Sequence, residues 1–358
     1  MSDTPSTAPA EIETDALVVG AGPVGLFQVF QLGLLELRCE VVDALPHAGG
    51  QCAELYPDKP IYDIPGLPVA SGRELVARLQ QQIAPFRPRL HLGQLVASVQ
   101  RQADGRFAVA TDRGTRFLAH AVIIAAGAGA FLPRSVALDG LERHLGSQVL
   151  HQPPEPAALA GQQVLILGDE DPALEQAIAL AEAGGCAGVT LVHRRDQFRA
   201  GPATVARLAA LRAAGRVRFI AGQPLALRHD DAADPARLTG LDLLPADGDP
   251  LVVPVDRLLV LMGLSPRLGP IADWGLAMAR RQLVVGTEAF ETSEPGIHAV
   301  GDINTYPGKR KLLLCGFHEA TLAAFGVAAR LAGGKPPLLQ YTTTSPRLHR
   351  LLGVADRS

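Results

Sequence analysis

Glycines and charged side chains, with no obvious nucleophile among them, carry the chemistry that this 358-residue chain can offer. Gly20, Gly22 and Gly25 form Gly-x-Gly-x-x-Gly directly after the apolar run Ala16-Leu-Val-Val, and Asp43 closes the next apolar run, Glu40-Val-Val-Asp43. In such a turn the first glycine permits the tight bend, the second lets the backbone approach a pyrophosphate, and the third lets helix and strand pack closely. The helix N-terminus presents its amides to the phosphates. A carboxylate at position 43 accepts hydrogen bonds from ribose hydroxyls and repels a 2′-phosphate, so the first turn is expected to hold FAD.

A second turn starts at Gly168, after Val164-Leu-Ile-Leu, and reaches Ala173 through Asp169-Glu170-Asp171-Pro172. The next apolar run ends in His193-Arg194-Arg195, with Arg199 close behind. Guanidinium forks bind phosphate bidentately, which favours NADP(H) over NAD(H) here. Glu170 stands where a glycine would admit the pyrophosphate, so three carboxylates flank a place meant for an anion and nicotinamide affinity is the weakest link. Pro172 near the helix start is tolerated because its missing N–H has no intrahelical partner there. There is no Ser/His/Asp order, metal-spaced His/Cys cluster or Gly-Lys-Ser/Thr loop, so no metal is expected and the chemistry falls to the cofactors.

The surrounding chain suits two such units. Its length and 47% apolar content are enough for two cores. The 33 basic and 36 acidic residues leave a net charge of -3 with no basic block, which argues against nucleic acid. No apolar run approaches the roughly 18 residues of a bilayer span. Residues 1–14 lack the basic start and apolar stretch of a signal peptide and read as a frayed terminus, with a cytoplasmic location as the default. Cys39, Cys52, Cys186 and Cys315 form no Cys-x-x-Cys and read as free thiols.

A hairpin is expected over 105–115 around Asp112-Arg-Gly114, then an apolar strand over 121–125. The stretch 136–161, with Pro153, Pro154 and Pro156, suits an interdomain crossing. Strands over 255–261 and 296–301 follow, then a helix over 317–331 ended by Gly333-Gly334 and Pro336-Pro337, and a Thr/Ser tail. The resulting fold class is α/β: two Rossmann-like dinucleotide-binding domains, the first split by insertion of the second. The expected boundaries are 14–134 and 256–340 for the FAD domain, 135–255 for the NADP domain, and 341–358 for a C-terminal extension.

Several longer motifs carry a family resemblance: Gly49-Gly50-Gln51, Leu55-Tyr56-Pro57-Asp58-Lys59, Ile61-Tyr62-Asp63, Phe131-Leu-Pro133-Arg134, Trp274-Gly275-Leu276 and Gly301-Asp302-Ile-Asn-Thr-Tyr306-Pro307-Gly308-Lys309. Together with His193-Arg-Arg-Asp-Gln-Phe198-Arg199, they resemble the thioredoxin-reductase-like ferredoxin:NADP(+) reductases along most of the chain. The Cys-x-x-Cys of thioredoxin reductases has no counterpart over 136–161, which disfavours direct disulfide reduction.

The resemblance implies that Asp43 meets the FAD ribose and that Gln51 lies near the isoalloxazine or its ribityl chain. It also implies that Tyr56 stacks on one flavin face, that Val96 and Phe131 line the pocket, and that Asp302 bonds the ribityl chain. It implies a homodimer whose C-terminal extension covers the other flavin face, with Tyr341 and Ser345 in that role, and electron transfer between NADP(H) and ferredoxin or flavodoxin. Lys309, Arg310 and Lys311 are candidate attractors for an acidic ferredoxin. The departure from the family is Gly168-Asp-Glu-Asp-Pro-Ala173, where its members carry Gly-Gly-Gly-Asp-Ser-Ala. Two alternatives stay open: a flavin-binding redox sensor or subunit with an impaired nicotinamide site, and a reductase on the same scaffold with another donor or acceptor.

Overall fold

The computed structural model describes residues 11–230, 232 and 236–354, the side chain of Phe131 excepted. The chain divides into two compact units: Met1–Phe131 with Pro266–Ser358, and Leu132–Ser265.

In the first unit the parallel strands run in the order Arg89–Leu92, Cys39–Asp43, Ile12–Val19, Arg116–Ile124, and Ile297–Ala299 pairs along the last of these. Phe107–Thr111 and Val96–Arg101 extend the sheet antiparallel from the N-terminal half of Arg116–Ile124. The hairpin foreseen over 105–115 is therefore present, and the apolar run 121–125 is the second half of its long return strand. The first strand starts at Ile12, so residues 12–14, expected to fray, are paired in the sheet; residues 1–10 lie outside the described residues.

Burial explains the apolar runs. A strand covered on both faces shows no alternation, and Ala16, Leu17 and Val18 are fully buried, as are Val122, Ile123 and Ile124. Helix Pro23–Leu34 packs Leu26, Val29 and Leu32 onto the sheet, each completely buried and contributing about 1.5–3 kcal/mol. The last long helix, Leu313–Leu331, begins four residues before the expected 317. Its alanine face, Ala320, Ala323, Ala324, Val327 and Ala328, is buried.

Register decides where the chemistry falls. Val19 pairs with Val42 and with Ile124, and Ala299 also pairs with Ile124. Gly20, Asp43 and Ala125, just beyond these pairs, and Gly301, one residue further on, therefore share one carboxyl edge, the side on which ligands gather in open α/β sheets.

The second unit repeats the plan. Its strands run in the order Val149–Leu150, Arg257–Val260, Gln163–Leu167, Gly188–His193, Arg218–Asp230, all parallel, and Arg237–Pro245 and Leu251–Pro254 add antiparallel. Residues 256–265, assigned from sequence to the returning FAD segment, instead run in this unit, because Arg257–Val260 takes the place beside Gln163–Leu167. Helix Asp171–Ala183 buries Ala173, Leu174, Ala177 and Ile178, and the αL Gly184 ends it. No helix among the described residues is long and apolar enough to cross a membrane.

Candidate dinucleotide-binding sites

In the first unit the carboxyl edge opens into a cleft enclosing about 1090 Å³ of empty space, part of it open to solvent. Its floor is the Gly20–Gly25 turn. Gly20 has φ +114°, and a Cβ there would sit 2.5 Å from the Ala125 carbonyl oxygen; a Cβ on Gly25 would sit 1.9 Å from the Gly20 oxygen. These two positions admit no side chain. Gly22 differs: the nearest atom to a Cβ there is 3.9 Å away, so the protein leaves room above it. Gly22 is the extended N-cap of helix Pro23–Leu34, whose first turn holds no acidic residue. Free amides and the positive helix end thus face that room.

Asp43 closes the same turn. Its carboxylate accepts from the Ala21 N–H at 2.5 Å and from the Leu45 N–H at 2.8 Å, and burial still pushes its carboxyl above the usual carboxylate range. Gln51, on the short helix Gly50–Glu54, lines the cleft, and so do Tyr56 and Val96. The Tyr56 hydroxyl lies 3.7 Å from Cys52 Sγ, and burial raises its phenol. Trp274, which the sequence reading left without a role, also lines the cleft, and its indole N–H is buried with no protein acceptor among the described residues. Tryptophan N–H groups are normally satisfied when buried. Asp302 also lines the cleft; burial raises its carboxyl against the pull of Lys309 and Lys311, and it has no protein hydrogen-bond donor among the described residues. A glycine cradle, an unpaired carboxylate and an unsatisfied indole N–H are groups that an elongated dinucleotide can engage.

The segment bearing Asp302 is held from below by a residue the sequence reading missed. Glu319, fully buried on helix Leu313–Leu331, accepts from the Gly301 N–H at 2.7 Å, the Asn304 amide at 2.9 Å, the Tyr306 hydroxyl at 2.9 Å and Lys309 Nζ at 2.5 Å. Lys309 Nζ also donates to the Gly301 carbonyl at 2.8 Å, and its side chain is only 7% exposed. Lys309 is therefore an internal counter-ion; of the three basic neighbours, only Arg310 and Lys311 face solvent. An acidic residue inside an otherwise alanine-lined helix face was the signal available in the sequence.

Tyr341 and Ser345 are not brought to the cleft of their own chain. Tyr341 is 68% exposed. Ser345 caps helix Pro346–Leu351 through Leu348 N–H at 3.2 Å, and Arg347 donates to the Gly33 carbonyl, so the tail carries an unforeseen helix. The Phe131 side chain lies outside what is described.

In the second unit Gly168 again lies against a strand end: a Cβ would be 2.2 Å from the Leu261 carbonyl oxygen. His193 ends the neighbouring strand, and Arg194 and Arg195 are exposed with no ion-pair partner among the described residues. Arg199 does not join them. Its guanidinium donates to both oxygens of Asp169, at 2.7 and 2.9 Å, and pairs with Glu170 at 2.9 Å. Arg199, then His193 and Arg194, hold the Asp169 carboxyl below the usual carboxylate range. Asp171 accepts from the Gly201 N–H at 3.0 Å. The three carboxylates that looked like bare repulsion in the sequence are thus all engaged.

Two units of this design define a class of oxidoreductase with two dinucleotide turns in one chain. The family model for pyridine nucleotide-disulphide oxidoreductases matches residues 14–321. A ferredoxin–NADP reductase of Paracidovorax citrulli is 60% identical over 96% of this chain and 97% of its own. One from Verminephrobacter eiseniae is 55% identical over 97% and 98%. Among solved structures, a thioredoxin reductase from Gloeobacter violaceus shares the fold with a TM-score of 0.58 at 21% identity, over 92% of this chain and 98% of that one. The chain belongs to the pyridine nucleotide-disulphide oxidoreductase family, in its branch of thioredoxin-reductase-like ferredoxin–NADP reductases.

Proposed function

We propose that this chain is an FAD-dependent ferredoxin–NADP(+) reductase that passes electrons between NADP(H) and ferredoxin or flavodoxin. The observation that carries this reading is the near full-length identity to ferredoxin–NADP reductases in a chain that keeps a glycine-cradled cleft in one unit and a second dinucleotide turn in the other. When bound, FAD supplies the chemistry, exchanging hydride with a nicotinamide and single electrons with a protein carrier.

The chain's own residues bind and orient. The Gly20, Gly22 and Gly25 turn takes the pyrophosphate, Asp43 the ribose hydroxyls, and Asp302 the ribityl chain. Tyr56 and Gln51 flank the ring, and Val96 excludes water. In the second unit Gly168 sets the turn, and His193, Arg194 and Arg195 receive the 2′-phosphate. Arg310 and Lys311 lie beside the Gly301–Asp302 segment and suit an acidic carrier. The assembly is a homodimer in which the tail carrying Tyr341 and Ser345 reaches the other copy's cleft, and it works in the cytoplasm. The relatives do not favour a nicotinamide-blind sensor.

The test is ferredoxin reduction by NADPH. Turnover that requires both NADPH and ferredoxin supports the reading; rapid NADPH oxidation with small quinones but none with any ferredoxin or flavodoxin would sink it. Sedimentation at the mass of one chain would contradict the dimer.

A further inference from the structure

We propose that Asp169 and Glu170 act as an internal anion that occupies Arg199, so that Arg199 keeps the phosphate loop neutral enough to admit a nucleotide and discrimination for the 2′-phosphate falls to Arg194 and Arg195. This rests on the assignment of NADP(H) to the second unit.

The geometry is specific. Asp169 receives a bidentate fork from Arg199, the strongest form of a carboxylate–guanidinium contact. Glu170 meets the same guanidinium at 2.9 Å, and its other oxygen lies over Gly263, where a Cβ would come within 2.4 Å of it. The backbone is tied as well: the Arg199 N–H donates to the Asp169 carbonyl at 2.7 Å, and positions 170 and 199 form an isolated parallel bridge. Glu170 is the N-cap of helix Asp171–Ala183, yet its side chain makes no capping bond. It is spent on Arg199 instead.

Both ends of the usual phosphate grip are altered together. Pro172, like Pro23 in the first unit, brings no N–H to the first helical turn, but here the Ala173 N–H is also bonded to the Glu170 carbonyl at 3.0 Å, which takes one more amide from a pyrophosphate. The Arg199 guanidinium offsets one of the two carboxylate charges, and His193 Nε2 lies 3.7 Å from Asp169 as well. A guanidinium that already satisfies both cannot turn to a 2′-phosphate without exposing them to it. Arg194 and Arg195, which follow Gly188–His193 and have no ion-pair partner among the described residues, carry no such obligation.

The test is calorimetric titration of the FAD-loaded protein with 2′,5′-ADP and with 5′-ADP. The forms compared are the parent, Arg199→Ala, Arg199→Gln, Arg194→Ala, D169G/E170G, and the triple variant with Arg199→Ala. FAD content and the melting temperature check each fold, and Arg199, being 60% exposed, tolerates truncation.

In the parent background, Arg199→Ala and Arg199→Gln should weaken both ligands alike, moving the ratio of their affinities less than about threefold, whereas Arg194→Ala lowers it roughly tenfold. In the D169G/E170G background Arg199 is released. There both ligands should bind more tightly, and Arg199→Ala should now cost the ratio roughly tenfold. A tenfold loss of the ratio on Arg199→Ala in the parent would overturn the inference alone. No binding of either ligand by any form would overturn it together with the nucleotide assignment.

Discussion

Lys309→Met tests how the Gly301–Asp302 segment is held. The substitution keeps the length of the side chain and removes the one cation paired, among the described residues, with Glu319, a carboxylate with no solvent exposure. Breaking a buried pair by removing one partner costs about 3–5 kcal/mol, because the remaining charge stays desolvated. The other donors to Glu319, from Gly301, Asn304 and Tyr306, are neutral and do not replace the charge. With a urea slope of about 3 kcal/mol/M for a unit of this size, the unfolding midpoint should fall by roughly 1 M or more. Flavin fluorescence follows the same transition, since release of FAD from the first unit reports loss of the Gly301–Asp302 turn. The neighbouring Arg310→Met is the control: its guanidinium reaches only nearby carbonyls, at 3.1 and 3.4 Å, and its loss should stay within about 0.5 kcal/mol. Equal midpoints for the two variants would refute the claim that Lys309 is a buried counter-ion and return it to the surface.

Three further outcomes follow from the same geometry. Gly22→Val should leave the first unit folded, since nothing lies within 3.9 Å of its Cβ, yet weaken FAD by about 1.5–3 kcal/mol, roughly ten- to a hundredfold; Gly25→Ala, with a Cβ 1.9 Å from a carbonyl, should fail to fold; circular dichroism and flavin content separate the two. Asp302→Asn should stabilise the FAD-free protein at neutral pH while weakening FAD binding. Burial raises the Asp302 carboxyl, so its share of stability is intact below the unfolded value of about 3.9 and is lost as pH rises through the folded value. The advantage of the variant in urea midpoint should therefore be absent at about pH 3.5 and grow toward pH 7, and a constant difference would contradict the assignment. Arg310→Glu should lower the ferredoxin association rate and flatten its salt dependence while NADPH-driven dye reduction holds, and an unchanged salt slope would move the docking surface elsewhere.

Much of this was written in the sequence because glycine and charge at fixed offsets from apolar runs have few structural solutions. Gly20, Gly22, Gly25 and Asp43 fell on one carboxyl edge because parallel register forces the ends of adjacent strands into line. Contacts across long sequence separation were not legible. Glu319 and Lys309 meet only after a helix packs under the turn that bears Asp302. Arg199 looked like a fourth phosphate ligand beside His193, Arg194 and Arg195; in the fold it is bridged through its backbone to Glu170 and its guanidinium meets Asp169. Strand Arg257–Val260 was given to the wrong unit because an apolar run does not say which sheet has a vacant parallel neighbour. The helix Pro346–Leu351 was hidden for a different reason: at so few residues its amphipathic period is too short to read against the Thr/Ser run before it.

The central claim is that one chain holds FAD in its first unit and takes electrons from NADP(H) in its second. Anaerobic stopped-flow absorbance of the FAD-loaded protein, mixed separately with NADPH and NADH and followed at the oxidised flavin band, tests it most directly. Fast bleaching by NADPH and much slower bleaching by NADH are the expected result. Absence of bleaching by either, with FAD fully bound, would contradict the claim.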